Sequence, residues 1–388
     1  MKIAININEL TLKQETGVKV YTREIVSAMG KIDRENEYIL YANDTDTAML
    51  RLRGFDYSNF KIRNSKFPAL GWSALGGKIP FWTYIKFSKE IKKDKPDILF
   101  MPIQTVPFRN KPKNIKIVVT VHDLAYLVFP NYFTNNDRKK LNYHTKRAVN
   151  MADKIIVPSE STKKDIIKYY NIQKDKICCI HHGISPFNDK DSIESSKKGD
   201  FESKINDYKP FILFVGTIQP RKNIERLIEA FEKVRDRNEK YADLKLVIAG
   251  AKGWMSGSIY NKAKKSKYSS DIVFTGGVEN DHLYKLYQNA LMFVLPSLYE
   301  GFGLPVLEAM SFGLPCIVSD NSSLSEIVDS HALLVDAYSS DDIAQKINMF
   351  LNHENLRKDY GLRSIDNASK YKWEYSAKKL IDVFNELK

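Results

Sequence analysis

Short runs of Ile, Val, Leu and Phe recur along the chain and alternate with longer amphipathic stretches. In the first half the runs are Ile3–Ile7, Tyr38–Tyr41, Ile98–Met101, Ile117–Val121, Ile155–Val157 and Ile177–Ile180. In the second they are Phe211–Val215, Leu244–Ala249, Ile272–Phe274, Leu291–Leu295, Cys316–Val318 and Leu333–Val335. The runs are continuous rather than alternating, which predicts strands covered on both faces, as in parallel sheets flanked by helices. Between them, Ile224–Val234 carries Ile224, Leu227, Ile228, Phe231 and Val234 on one stripe and predicts a helix, with Asn223 as its N-cap. Strand and helix alternate in both halves, so the fold class is α/β with two doubly wound domains. Residues 187–209 are rich in Asp, Ser, Lys, Glu and Asn without a sustained period, and read as a linker between a first domain over 1–186 and a second over 210–372. The pattern Trp373, Ala377, Leu380, Ile381, Phe384 predicts a last amphipathic helix within 373–388, which periodicity alone could pack on either domain.

The length, 388 residues, agrees with two domains. No segment approaches the roughly 18 uninterrupted apolar residues of a membrane span. The N-terminus runs straight into a strand pattern without a signal-peptide apolar region. Cys178 and Cys179 are adjacent and Cys316 is distant, which gives neither a disulfide framework nor a metal quartet. These features predict an intracellular, cytoplasmic chain held by packing. Charge changes the picture more. Residues 1–200 hold 35 Lys and Arg against 22 Asp and Glu, the whole +13, whereas residues 201–388 hold 25 of each. A one-sided surplus predicts that the first domain faces something anionic.

Two segments carry candidate chemistry. In Pro296-Ser297-Leu298-Tyr299-Glu300-Gly301-Phe302-Gly303-Leu304-Pro305-Val306-Leu307-Glu308-Ala309-Met310, a strand ends in a Gly-rich turn and Pro305 fits the first helical position. Glu300 then lies in the loop beyond the strand, Glu308 one turn into the helix, and the amides of Gly301, Phe302, Gly303 and Leu304 can face a ligand with the helix dipole behind them. Carboxylates there suit hydroxyl-rich ligands, because each oxygen accepts from a sugar O–H. The other segment, Val215-Gly216-Thr217-Ile218-Gln219-Pro220-Arg221-Lys222-Asn223, sets two cations at a strand-to-helix turn, which by itself fits equally a phosphate clamp that needs no metal and a solvated basic turn. It is not a P-loop, since Gly-x4-Gly-Lys-Ser/Thr is absent.

Together Phe-Val-Gly-(x)4-Arg221-Lys222-Asn223, Phe274-Thr275-Gly276 and Glu300-(x)7-Glu308 resemble the signature of the retaining glycosyltransferases of family 4. The likeness extends to Val121-His122-Asp123, Pro158-Ser159-Glu160-Ser161 and Trp373, and within the family to a mannosyltransferase-like subgroup bearing Pro-Arg-Lys-Asn. It implies the GT-B fold, two Rossmann-like domains facing across a cleft, with the C-terminal helix returning to the first domain. It also implies roles. Arg221 and Lys222 neutralise the donor diphosphate, and Glu308 holds the ribose hydroxyls. Glu300 orients the transferred sugar, and the Phe302–Leu304 amides contact sugar or phosphate. His122 lines the reaction centre, and Gly17, in the first βα loop, lets backbone approach the diphosphate. Gly216, Thr217, Gly276, Gly301 and Gly303 complete the donor-binding set. Many members carry an arginine where this chain has Thr217, and Arg221 stands in for that charge.

The resemblance implies front-face substitution without a metal cofactor, the leaving phosphate helping to deprotonate the acceptor. The departing diphosphate gains negative charge, which the Arg/Lys pair stabilises. His122 in a His-Asp dipeptide has no partner His or Cys at metal spacing, and Asp44-Thr45-Asp46 and Asp189-Lys190-Asp191 read as solvated loops. The expected donor is GDP-mannose, with a UDP-hexose second; the expected acceptor is a glycan or polyprenyl-linked saccharide of polysaccharide, O-antigen or capsule type. Residues 57–89 hold six Lys/Arg, eight aromatics and no Asp or Glu. That composition fits an anionic membrane surface, which would make the protein peripheral on the inner face of the plasma membrane. It fits equally a strand and helix with core aromatics. No nucleic-acid module accompanies it. The rival from another class is a non-catalytic basic adaptor on the same scaffold. Loss of Lys222, Glu300 or Glu308 would favour it, and all three are present.

Overall fold

The computed structural model describes residues 1–12, 16–44, 57–64, 86–185 and 205–388. They form two compact units, Met1–Gly183 with Lys372–Lys388, and Ile184–Tyr371. In the first, β1 (Lys2–Asn6), β2 (Glu37–Ala42), β3 (Phe60–Asn64), β4 (Ile98–Met101), β5 (Lys116–Thr120), β6 (Lys154–Val157) and β7 (Ile177–Cys179) form a sheet of order β3-β2-β1-β4-β5-β6-β7. In the second, β8 (Phe211–Val215), β9 (Lys245–Ala249), β10 (Ile272–Gly276), β11 (Met292–Leu295), β12 (Cys316–Ser319) and β13 (Leu333–Val335) run β10-β9-β8-β11-β12-β13. Every pairing is parallel. The strands are buried because helices cover both faces of each sheet, which is why their sequences lack alternation. In both sheets the order reverses beside the first strand, between β1 and β4 and between β8 and β11. Those reversals open the crevices in which α/β sheets take ligands.

The twelve apolar runs are all strands, shifted by a residue or two at their ends. β3 escapes the hydrophobic pattern. It is an edge strand with Lys61, Ile62 and Arg63 exposed, so half of its sequence is written for water. Phe60 stacks on Tyr38 with ring centroids 4.7 Å apart, and Lys61 pairs with Glu37 at 2.8 Å. Further along, Phe87 is buried against Tyr41, with centroids 5.1 Å apart. Within residues 57–89 Phe87 is thus a core residue and Phe60 half-buried; residues 65–85 lie outside the described residues, as do Thr45, Asp46 and Asp189-Lys190-Asp191. The second unit begins at Ile184, and Ile205, inside the stretch read as a linker, is buried in its core.

The helix Trp373–Asn385 belongs to the first unit. Phe384 meets Phe100 of β4 at 5.6 Å between centroids, Trp373 lies 6.0 Å from Tyr21, and Ser376 Oγ donates to the His181 carbonyl at 2.6 Å. Phe384 is fully buried. Phe384→Ala is therefore expected to destabilise the first unit by about 3–5 kcal/mol, read as a lower urea midpoint with little change in the second unit's transition.

Candidate active site

In the second unit the chain after β8 turns through Gly216, Thr217 and Ile218 into a single 3-10 turn, Pro220–Lys222, before helix α1 (Ile224–Arg237). This turn is stapled to the loop after β9: Gly216 N donates to the Ala249 carbonyl and Ile218 N to that of Ala251, at 2.9 and 3.0 Å. A Cβ on Gly250 would lie 2.0 Å from the Gly216 oxygen, so the two loops touch backbone to backbone. The Thr217 methyl faces Gly253. Gly276 closes β10 at φ +72, with open space where a Cβ would stand.

Arg221 and Lys222 are 9% and 7% exposed, and Glu300, at 6%, reaches both from the loop after β11. Lys222 Nζ lies 2.5 Å from Glu300 Oε1, and Arg221 Nη1 lies 3.1 Å from Oε2 while donating also to the Tyr299 carbonyl. Ser297 Oγ donates to Oε1 at 2.7 Å. Burial alone would raise the Glu300 carboxyl; the charges of Lys222 and Arg221 outweigh it and hold the group at about 2. The clamp and the first carboxylate of the pair therefore form one ion cluster at the sheet's switch point. Two cations on one carboxylate leave a local surplus of one positive charge, suited to a phosphate.

Asn223 corrects the sequence reading. It is not a capping acceptor; its backbone is left-handed, at φ 60, and no helix N–H bonds its side chain. Instead its Nδ2 donates to the carbonyls of Pro296 (2.8 Å) and Ala337 (2.6 Å), while its Oδ1 accepts from Arg226 at 2.8 Å. One amide thus ties the loops after β8, β11 and β13. The segment after β12 braces the Glu300 loop from another side. Ser322 Oγ accepts from Glu300 N at 3.0 Å, Ser323 Oγ donates to the carbonyls of Glu300 and Phe302, and Asn321 Nδ2 donates to that of Ser297. Sequence reasoning passed over Asn321, Ser322 and Ser323, and assigned Asn223 to the helix cap; the one local signal for its other task was an Asn, a residue that tolerates a left-handed backbone, directly after Arg-Lys.

Gly301 and Phe302 are buried, and Gly303 sits at φ +112, where a Cβ would come within 2.9 Å of Leu324 and Ile327. Leu304 begins helix α2 (Leu304–Ser311), and Pro305 takes its second position rather than the first. Glu308 is half-buried on α2, and Tyr287 Oη donates to its Oε2 at 2.9 Å. Burial raises the Glu308 carboxyl, and the Tyr287 hydrogen bond works against that rise. Burial, then the adjacent Glu308, push the Tyr287 phenol well above its usual range, so it stays a donor.

In the first unit, His122 follows β5, and its Nε2 lies 2.8 Å from the Pro102 carbonyl at the end of β4. A carbonyl can only accept, so Nε2 carries the proton and Nδ1 is left as an acceptor. Burial lowers the His122 pKa, against smaller opposing effects of Pro102 and Asp123, which keeps the ring neutral. Such an imidazole can accept from a sugar hydroxyl. Tyr21 packs edge-on to it at 4.9 Å, and His182, itself pushed well below the usual range by burial, lies 5.7 Å away. Gly17 is the first residue of the helix Gly17–Ile32 rather than a loop residue, with Thr16 as the N-cap. Nothing lies within 4 Å of the place a Cβ would occupy.

Residues 16–186 match the family described as Glycosyltransferase Family 4, and residues 195–366 that described as Glycosyl transferases group 1. The chain therefore carries two glycosyltransferase domains, a family 4 domain in its first half and a group 1 domain in its second. It is 27% identical over 277 residues to the O-antigen chain mannosyltransferase B of Escherichia coli, covering 70% of this chain and 71% of that one. It is 33% identical over 241 residues to an uncharacterised glycosyltransferase of Methanocaldococcus jannaschii, covering 59% of each. A sucrose-phosphate synthase from Thermosynechococcus elongatus superposes over 100% of this chain and 99% of its own with a TM-score of 0.73 at 18% identity, which shows the GT-B fold. No helix among the described residues is long and apolar enough to cross a membrane.

The Glu300 carboxyl is held far below its ordinary value of 4.5, so it contributes stability that is complete above that value and is lost as the pH falls from about 4.5 towards 2. Glu300→Gln takes the shared carboxylate from two buried cations and is expected to cost about 3–5 kcal/mol at neutral pH. Chemical denaturation of both proteins between pH 3 and 7 checks this. The gap between them should narrow as acid is added.

Proposed function

We propose that this glycosyltransferase moves a hexose from a nucleotide-diphospho-sugar to a glycan or lipid-linked oligosaccharide with retention of anomeric configuration and without a metal. The observation that carries the reading is the buried Arg221–Glu300–Lys222 cluster at the switch point between β8 and β11. A diphosphate arriving there meets preorganised cations, and these stabilise the charge that develops on it as the glycosidic bond breaks. Arg221 and Lys222 supply what a divalent ion supplies elsewhere. Glu300 stays ionised throughout the ordinary pH range and acts on the sugar as an acceptor and electrostatic group, not as a nucleophile. Glu308 takes the ribose hydroxyls.

Mannose from GDP-mannose is the proposed donor, supported by the O-antigen mannosyltransferase among the relatives; a UDP-hexose is the alternative with the same chemistry. The acceptor is a growing surface polysaccharide, presented at the cytoplasmic face of the membrane. The positive surplus of residues 1–200 supports attraction to that anionic surface.

Two measurements test this. Screening nucleotide sugars for slow hydrolysis or transfer should find a donor used equally with and without EDTA, and Lys222→Ala should lower its turnover by roughly 100- to 1,000-fold. Loss of activity in EDTA that returns with Mg²⁺ would overturn the metal-free mechanism. Binding to vesicles should rise with anionic lipid and weaken with salt; equal binding to neutral and anionic vesicles would remove the membrane assignment.

A further inference from the structure

Glu308 is anchored by one side chain that the proposed chemistry does not use. Tyr287 lies on the helix Asn280–Asn289 and is fully buried. Its ring is fixed by stacking on Phe312 (centroids 5.5 Å apart, planes 18° apart) and by Phe293 at 6.1 Å. The hydroxyl therefore has one place to be, 2.9 Å from Glu308 Oε2 and 3.4 Å from the Pro305 carbonyl. A hydrophobic site of this shape would be filled as well by phenylalanine, and a buried hydroxyl is kept at a cost unless it is bonded. Its bond goes to the carboxylate.

We infer that Tyr287 is a positioning residue for nucleotide recognition, holding the Glu308 carboxylate in the orientation that receives the two ribose hydroxyls. The inference rests on the ribose role proposed for Glu308. A carboxylate offers about four acceptor directions over its two oxygens. Tyr287 occupies one on Oε2, which leaves Oε1 and the remaining direction of Oε2 for a vicinal diol. A free glutamate would lose rotamer freedom on binding, whereas one already fixed by a rigid phenol has lost it on folding. The effect of Tyr287 is thus specific to the diol, and the diphosphate and the base should not register it.

The test is titration calorimetry on the full chain with GDP, UDP and the 2′,3′-dideoxy form of each, for the wild type, Tyr287→Phe, Glu308→Gln and the double variant. The wild type should favour the ribonucleotide by roughly tenfold or more over its dideoxy form. Tyr287→Phe keeps the ring packing, and should weaken the ribonucleotide about five- to tenfold while changing the dideoxy form less than twofold. Added to Glu308→Gln it should change neither further. Equal weakening of both nucleotides, or an undiminished additional loss in the double variant, would mark Tyr287 as merely structural and overturn the inference. An unchanged preference in Tyr287→Phe would do the same and leave the ribose role of Glu308 standing. Absence of any preference in the wild type would remove that role, and this inference with it. Binding of none of the four nucleotides would overturn the nucleotide site as a whole.

Discussion

Three charged side chains share a nearly dry place in the second unit, and the loops around them are arranged so that this is tolerable. Arg221 and Lys222 would each be costly to bury alone, and so would Glu300. Paired, they satisfy one another, with Ser297 and the Tyr299 carbonyl taking further bonds. Because desolvated charges tolerate little misplacement, the backbone on either side must be fixed. Asn223 and the Asn321-Ser322-Ser323 segment do this through hydrogen bonds to carbonyls and amides of neighbouring loops. The sheet below sets the distance between the two halves of the cluster, since β8 and β11 are neighbours although 76 residues lie between Val215 and Met292 in the chain.

Under the proposed function, the cluster also defines what a donor must do on arrival. Lys222 and Arg221 are not idle cations; they already hold a carboxylate. A diphosphate adds a competing anion beside Glu300, and part of the attraction for the cations is shared between the two. A second anion brought into contact with Glu300 would be repelled, so the sugar, which is neutral and carries hydroxyl donors, is the part of a donor that suits the glutamate's outer face. In that proposal charge orders the ligand along the crevice: phosphate towards the cations, hydroxyls towards the acids.

Much of the architecture was legible because burial on both faces writes strands as unbroken apolar runs, and all twelve of them stand in the two sheets. β3 was not legible, because an edge strand with Lys61 and Arg63 in water reads as surface. The chemistry-bearing residues stood out through local spacing, with Arg221-Lys222 after a strand and two glutamates astride a Gly-rich turn. What held them did not. The partners of Asn223 lie at Pro296 and Ala337, and the hydroxyl on Glu308 comes from another helix, so these bonds exist only once the chain is folded. Asn223 looked like an ordinary cap for that reason. Its true task needs a side chain able both to tolerate a left-handed backbone and to donate twice, which asparagine does.

The helix Trp373–Asn385 packs against the first unit although the whole of the second unit precedes it in the chain. During synthesis the first sheet can form early, yet the face around Phe100 and Tyr21 stays uncovered until the last helix leaves the ribosome. The unit that starts first is finished last. An apolar surface held open for the time needed to translate nearly two hundred further residues is a ready target for chaperones, and a truncation a few residues short of Phe384 should harm the early half of the protein rather than the late one.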